Sequence, residues 1–114
     1  MRIEELPEYG KDIKRLHKKY HTLTSDLDVL LKILSVLPDA RPPFSFRIDG
    51  LGIRTTVIKV KRISSDCFKG KGNQSGFRLV YAYIPDEQRI VLIEIYHKNT
   101  KDIEDRNRIL RNFQ

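Results

Sequence analysis

The stretch that most constrains the fold runs from Arg89 to Tyr96, where Ile90, Val91, Leu92 and Ile93 follow one another without a polar interruption. A strand wetted on one face alternates apolar and polar side chains, whereas a near-continuous apolar run suits a central strand covered on both faces. A second β-branched and aromatic segment, Phe77–Ile84, precedes it, and Pro85-Asp86-Glu87-Gln88 joins the two with residues suited to a tight connection. The two segments read as a hairpin. Thr55–Ile63 reads as a third strand, in which Ile58 and Val60 alternate with Lys59 and Lys61, one face buried and one basic.

The covering material lies upstream. Met1–Leu6 is a short edge strand, and Pro7 with Glu8 suits the start of a helix. Tyr9, Ile13, Leu16 and Tyr20 make its apolar face, and Lys11, Lys14, Arg15, Lys18 and Lys19 its basic one. A second helix is expected after Thr24 or Ser25, with a hydroxyl cap and Asp26 and Asp28 in the first turn; Leu27, Leu30, Leu31, Leu34 and Leu37 form its stripe, and Pro38 ends it. The short link makes the helices an antiparallel pair. Residues 39–54, broken by Pro42, Pro43, Gly50 and Gly52, read as a connecting loop with one short extended piece around Phe44 and Phe46. Thr100 is expected to cap a final helix with Asp102 in its first turn, a thin stripe of Ile103, Leu110 and Phe113, and Arg106, Arg108 and Arg111 outside. The order predicts one α+β domain over residues 1–114: an N-terminal helical hairpin packed on a small, mostly antiparallel sheet, with a C-terminal helix.

Lysine and arginine outnumber aspartate and glutamate by 22 to 15, a net charge of +7. That excess favours a polyanionic partner. No apolar run approaches the ~20 residues needed to span a bilayer, and no apolar leader opens the chain, so a soluble, cytoplasmic protein without a membrane partner is expected. A lone cysteine forms no internal disulfide, and Cys67 beside Phe68 reads as a packed thiol rather than a nucleophile. His17 and His21 have no Cys, Asp or Glu at ligand spacing; no metal or cofactor is expected.

The chemistry gathers around one loop. Cys67 to Gly76 carries Lys69 and Lys71 between glycines and runs into Phe77-Arg78. Folding the hairpin brings His97 and Lys98, at the far end of the partner strand, close to Arg78. Cations and a titratable imidazole at one sheet end suit a phosphate and chemistry on it. The competing roles are a solvated loop for the lysines, a cross-strand ion pair to Glu94 for Arg78, and a strand-end surface position for His97.

The element order and the motif Asp66-Cys67-Phe68-Lys69-Gly70-Lys71, followed after four residues by Gly76-Phe77-Arg78-Leu79-Val80-Tyr81, resemble the RelE/ParE superfamily of small bacterial toxins, closest to the RelE branch. The resemblance is strongest over residues 57–101, and the 39–54 segment has no counterpart in it. It implies the toxin of a type II toxin–antitoxin system, a ribosome-dependent endonuclease that cuts mRNA in the ribosomal A site by 2′-hydroxyl attack on the adjacent phosphate. A cognate acidic antitoxin protein is the implied partner. Lys69, Lys71 and Arg78 match family catalytic or RNA-contacting positions, and His97 matches a histidine that some branches place near the end of the last strand. Lys59, Lys61, Lys98 and Lys101 are the further candidates for RNA contacts. Asn99 and Asp105 stand where well-studied RelE proteins carry an active arginine and tyrosine. The competing readings are a ParE-like gyrase inhibitor and a non-catalytic basic RNA-binding module.

Overall fold

The computed structural model describes residues 1–114. Strands β1 (Arg2–Glu5), β2 (Ser45–Arg47), β3 (Thr56–Val60), β4 (Phe77–Ile84) and β5 (Arg89–His97) form one sheet in the order β1-β5-β4-β3-β2. Only β1 runs parallel to its neighbour, β5; the other three pairings are antiparallel. Helices α1 (Pro7–His17) and α2 (Leu23–Val36) lie on one face, and α3 (Arg106–Phe113) on the other. The expected α+β architecture is the observed one.

The apolar run in β5 is divided between two cores, as its pattern requires. Ile90, Leu92 and Ile95 join Tyr9, Leu27, Leu30 and Leu34 under the helical hairpin. Val91, Ile93 and Tyr96 join Val57, Val80 and Ile109 on the opposite face. The 39–54 segment is divided between the cores, Ala40 and Phe44 packing on the helical side and its later apolar residues on the second cluster. Its short extended piece is β2, which pairs Phe46 with Lys59 at the sheet edge, and Ile48, Leu51 and Ile53 then fold back against the cluster.

Buried charge ties the layers together. Asp12 on α1 is 2% exposed and accepts from Arg108 Nη1 on α3 at 2.7 Å and from the Ile95 amide at 3.3 Å. Arg108 also donates to the Ile93 carbonyl at 2.8 Å. Removing one member of such a pair strands the other charge, at a typical cost of ~3–5 kcal/mol.

Two helix starts differ from expectation. Helix α2 begins at Leu23, with Thr22 at the cap position, where its hydroxyl donates to Asp26 Oδ2 at 2.8 Å and leaves the backbone amides uncapped. Helix α3 begins at Arg106 rather than after Thr100, capped by Asp105, whose carboxylate accepts from the Arg108 amide at 3.0 Å. Residues 98–100 are instead a turn closed by Thr100 N–H on the His97 carbonyl at 2.9 Å. The Asp105 amide donates to Glu94 Oε1 at 2.8 Å and holds the chain extended there, delaying the helix. Ile103 is consequently exposed, and Ile109 occupies the core position in its place.

Candidate nucleic-acid interface and active site

The hairpin brings the two ends together as its register demands, with Phe77 opposite His97 and Arg78 opposite Tyr96. The two faces of that sheet end have different fates. On the helical face His97 is sealed in, 2% exposed. Its Nε2 donates to the Ser75 carbonyl at 2.9 Å, and its Nδ1 accepts the Asn99 amide at 3.2 Å, which assigns the tautomer with hydrogen on Nε2. Tyr20 and Phe68, themselves 5.6 Å apart, lie nearly parallel to the ring with centroids at 5.8 and 5.1 Å, and Phe77 meets it edge-on at 5.1 Å, so the imidazole is one member of a four-ring cluster. The imidazole expected to move protons therefore has both nitrogens engaged within the fold and is packed into an aromatic cluster. It is not a surface histidine at the strand end.

Gly76 makes that arrangement possible. It sits at φ +94°, and a Cβ there would stand 2.7 Å from His97 Nε2. Its carbonyl accepts the Lys98 amide at 2.9 Å, closing the sheet end. Ser75 completes the clamp, its hydroxyl donating to the Ile63 carbonyl at 2.6 Å.

On the opposite face lies a groove of about 400 Å³ whose walls include Phe46, Lys61, Arg62, Gln74, Arg78 and Lys98. It holds four cations and no carboxylate, an arrangement that attracts anions. Arg78 is not paired with Glu94, which lies opposite Val80 instead. Its Nη1 donates to the Lys61 and Phe77 carbonyls at 3.1 and 3.3 Å, fixing the guanidinium, while Nε and Nη2 make no bond within the chain. That free edge is the two-donor fork that matches a pair of phosphate oxygens. Arg62 and Gln74 are wall residues that the sequence did not single out; only their nearness to Lys61 and Gly76 in the chain pointed to them.

The remaining candidates separate by partner. Lys69 and Lys71 are exposed on the loop after the 3₁₀ turn Asp66–Phe68, form no ion pair, and lie outside the groove walls. Lys59 faces a buried carboxylate, Glu104 Oε1, at 2.7 Å, and Lys101 pairs with the buried Glu94. Those two ammonium groups, expected to meet RNA, each pair with a buried carboxylate, Lys59 largely enclosed and Lys101 still partly exposed. Tyr96, between them, has a buried hydroxyl with no partner. Burial, then the charges of Glu104 and Glu94, push its ionisation up to about 12 against the opposing pull of Arg78, so it is a neutral phenol at physiological pH.

The lysine loop is moored to α2 by one carboxylate. Asp26 accepts from the hydroxyls of Thr22 and Ser65 at 2.8 and 2.6 Å and from the Asp66 amide at 3.3 Å. Cys67 Sγ stands 2.9 Å from Thr22 Oγ1; since that hydroxyl's proton goes to Asp26, the thiol is the donor. It is a packed thiol.

No family model matches the chain, and no curated protein matches it either. Among solved structures, a chain of the archaeal RelE–RelB complex from Pyrococcus horikoshii OT3 has a similar fold, with a TM-score of 0.59 over 88% of this chain and 97% of that one at 13% identity. The fold is therefore RelE-like. No helix is long and apolar enough to cross a membrane.

Proposed function

We propose that this chain is the toxin of a type II toxin–antitoxin pair and that it cleaves messenger RNA in the ribosomal A site. The observation that carries the reading is the carboxylate-free groove with the unpaired edge of Arg78 on its wall. The RelE-like fold and the motif from Asp66 to Tyr81 support it. In the reaction the ribose 2′-hydroxyl attacks the adjacent phosphorus in line and the 5′-oxygen leaves, giving a 2′,3′-cyclic phosphate and a 5′-hydroxyl. Nε and Nη2 of Arg78 donate to the non-bridging oxygens as their charge grows, and Lys61 and Lys98 add positive potential. Such fixed donors stabilise the pentavalent state more than the ground state because they are oriented before the reaction begins. Lys69 and Lys71 hold the flanking RNA strand through its phosphates. His97 acts by holding Gly76 and the sheet end in place.

The test is single-turnover cleavage of mRNA on programmed ribosomes. Arg78→Ala should slow cleavage by about 10²–10³, the usual loss for one preorganised donor. Arg78→Lys should recover only part of it, because a point charge does not reproduce the fork. Intact mRNA in the presence of the parent protein would overturn the reading. Inhibition of gyrase would then favour the ParE-like alternative, and RNA binding without cutting the non-catalytic one.

A further inference from the structure

Phe46 stands in the groove without a structural reason to be aromatic. It belongs to neither core and is 36% exposed on the edge strand β2. Its ring is covered instead by a cation, Lys61 Nζ, at 5.1 Å from the centroid. The Lys61 carbonyl in turn receives Arg78 Nη1, so the ring and the free guanidinium edge stand on either side of a single residue. An inorganic anion has no use for a ring. An aromatic face set among four cations suits an anion that itself carries a flat, polarisable group.

We propose that Phe46 is the platform of a nucleotide subsite, on which one base of single-stranded RNA stacks while the adjoining phosphate lies against Lys61 and Arg78; the proposal rests on the ribonuclease reading. In the free protein the Lys61 ammonium occupies the ring. The arriving nucleotide exchanges it, the base taking the ring and the phosphate taking the ammonium. The 39–54 segment, which lengthens the chain relative to the resemblance, thereby has a role: it adds β2 to the sheet and brings the ring to the phosphate site.

The chain contains no tryptophan, so Phe46→Trp places a single indole reporter on the platform. The probe is a short single-stranded RNA with 2′-O-methyl sugars, which resists cleavage, titrated beside inorganic polyphosphate. The indole should be quenched saturably by the RNA and not by polyphosphate. Phe46→Ala should weaken RNA binding by about 10- to 100-fold, the range of one lost base–aromatic stack, while Phe46→Tyr retains it. The slope of log Kd against log salt should be the same for Phe46→Ala and parent, since the phosphate contacts remain. If the parent binds RNA and Phe46→Ala binds it equally well, or if polyphosphate quenches the indole as strongly as RNA, the subsite is wrong and the ribonuclease reading stands. If the parent does not bind RNA at all, the subsite falls, and the ribonuclease reading falls with it only if mRNA on programmed ribosomes also stays intact.

Discussion

Gly76 and His97 make a pair in which each residue explains the other. The imidazole reaches the Ser75 carbonyl only because the neighbouring residue has no side chain and adopts φ +94°. Gly76→Ala should therefore lower the denaturant midpoint, with the strained backbone alone costing ~1–3 kcal/mol and the collision with the ring adding to it. His97→Gln keeps an amide donor but loses the ring contacts with Tyr20, Phe68 and Phe77. It should cost stability and leave the shape of the pH profile of cleavage unchanged, measured by single-turnover rates across the neutral range. A changed inflection would return His97 to the reaction.

The C-terminal segment is held to the sheet by charge. Burial pushes the Glu104 carboxyl up, but the hydrogen bond and charge of Lys59, with Arg106 behind, outweigh it and hold the group below its ordinary value of 4.5. A carboxyl held below its unfolded value contributes stability that is fully present above that value and lost as pH falls through the folded one. The chain should thus lose stability in acid below 4.5, with the C-terminal segment loosening from β3. In denaturant titrations at successive pH values, Glu104→Gln should be less stable at neutral pH and show a flatter acid limb. An acid limb identical to the parent's would mean that this carboxyl does not set it.

At the scale of the molecule, two surfaces remain open: the basic groove and one side of α2. Val29, Ile33, Val36 and Leu37 fall at helical spacing and are 61%, 44%, 75% and 41% exposed. An apolar stripe of this kind on a chain of net charge +7 suits an acidic amphipathic helix, drawn in by charge and held by apolar contact. We propose this stripe as the seat of the acidic antitoxin. Co-expression should yield a stable complex, and Ile33→Asp, at a position outside both cores, should disrupt it while leaving the toxin folded by circular dichroism. Retention of the complex by Ile33→Asp would place the partner elsewhere.

The architecture was legible because it depends on local pattern. The uninterrupted Ile90–Ile93 run demands cover on both faces, the leucine spacing of α2 supplies one layer, and the residues between Ile84 and Arg89 close the hairpin that sets Arg78 beside the end of β5. What stayed hidden depends on partners distant in the chain. Lys59 and Lys101 look like free cations until the C-terminal segment sets Glu104 against Lys59 on β3 and Lys101 against Glu94 on β5. Thr100 looks like a helix cap until Glu94 takes the Asp105 amide and delays the helix. His97 looks like a proton carrier until three rings and two backbone groups close around it. The residue types belong to the sequence alone. Which charges remain free for a ligand was decided by the tertiary structure, because a buried carboxylate must find its cation and a buried imidazole its hydrogen bonds.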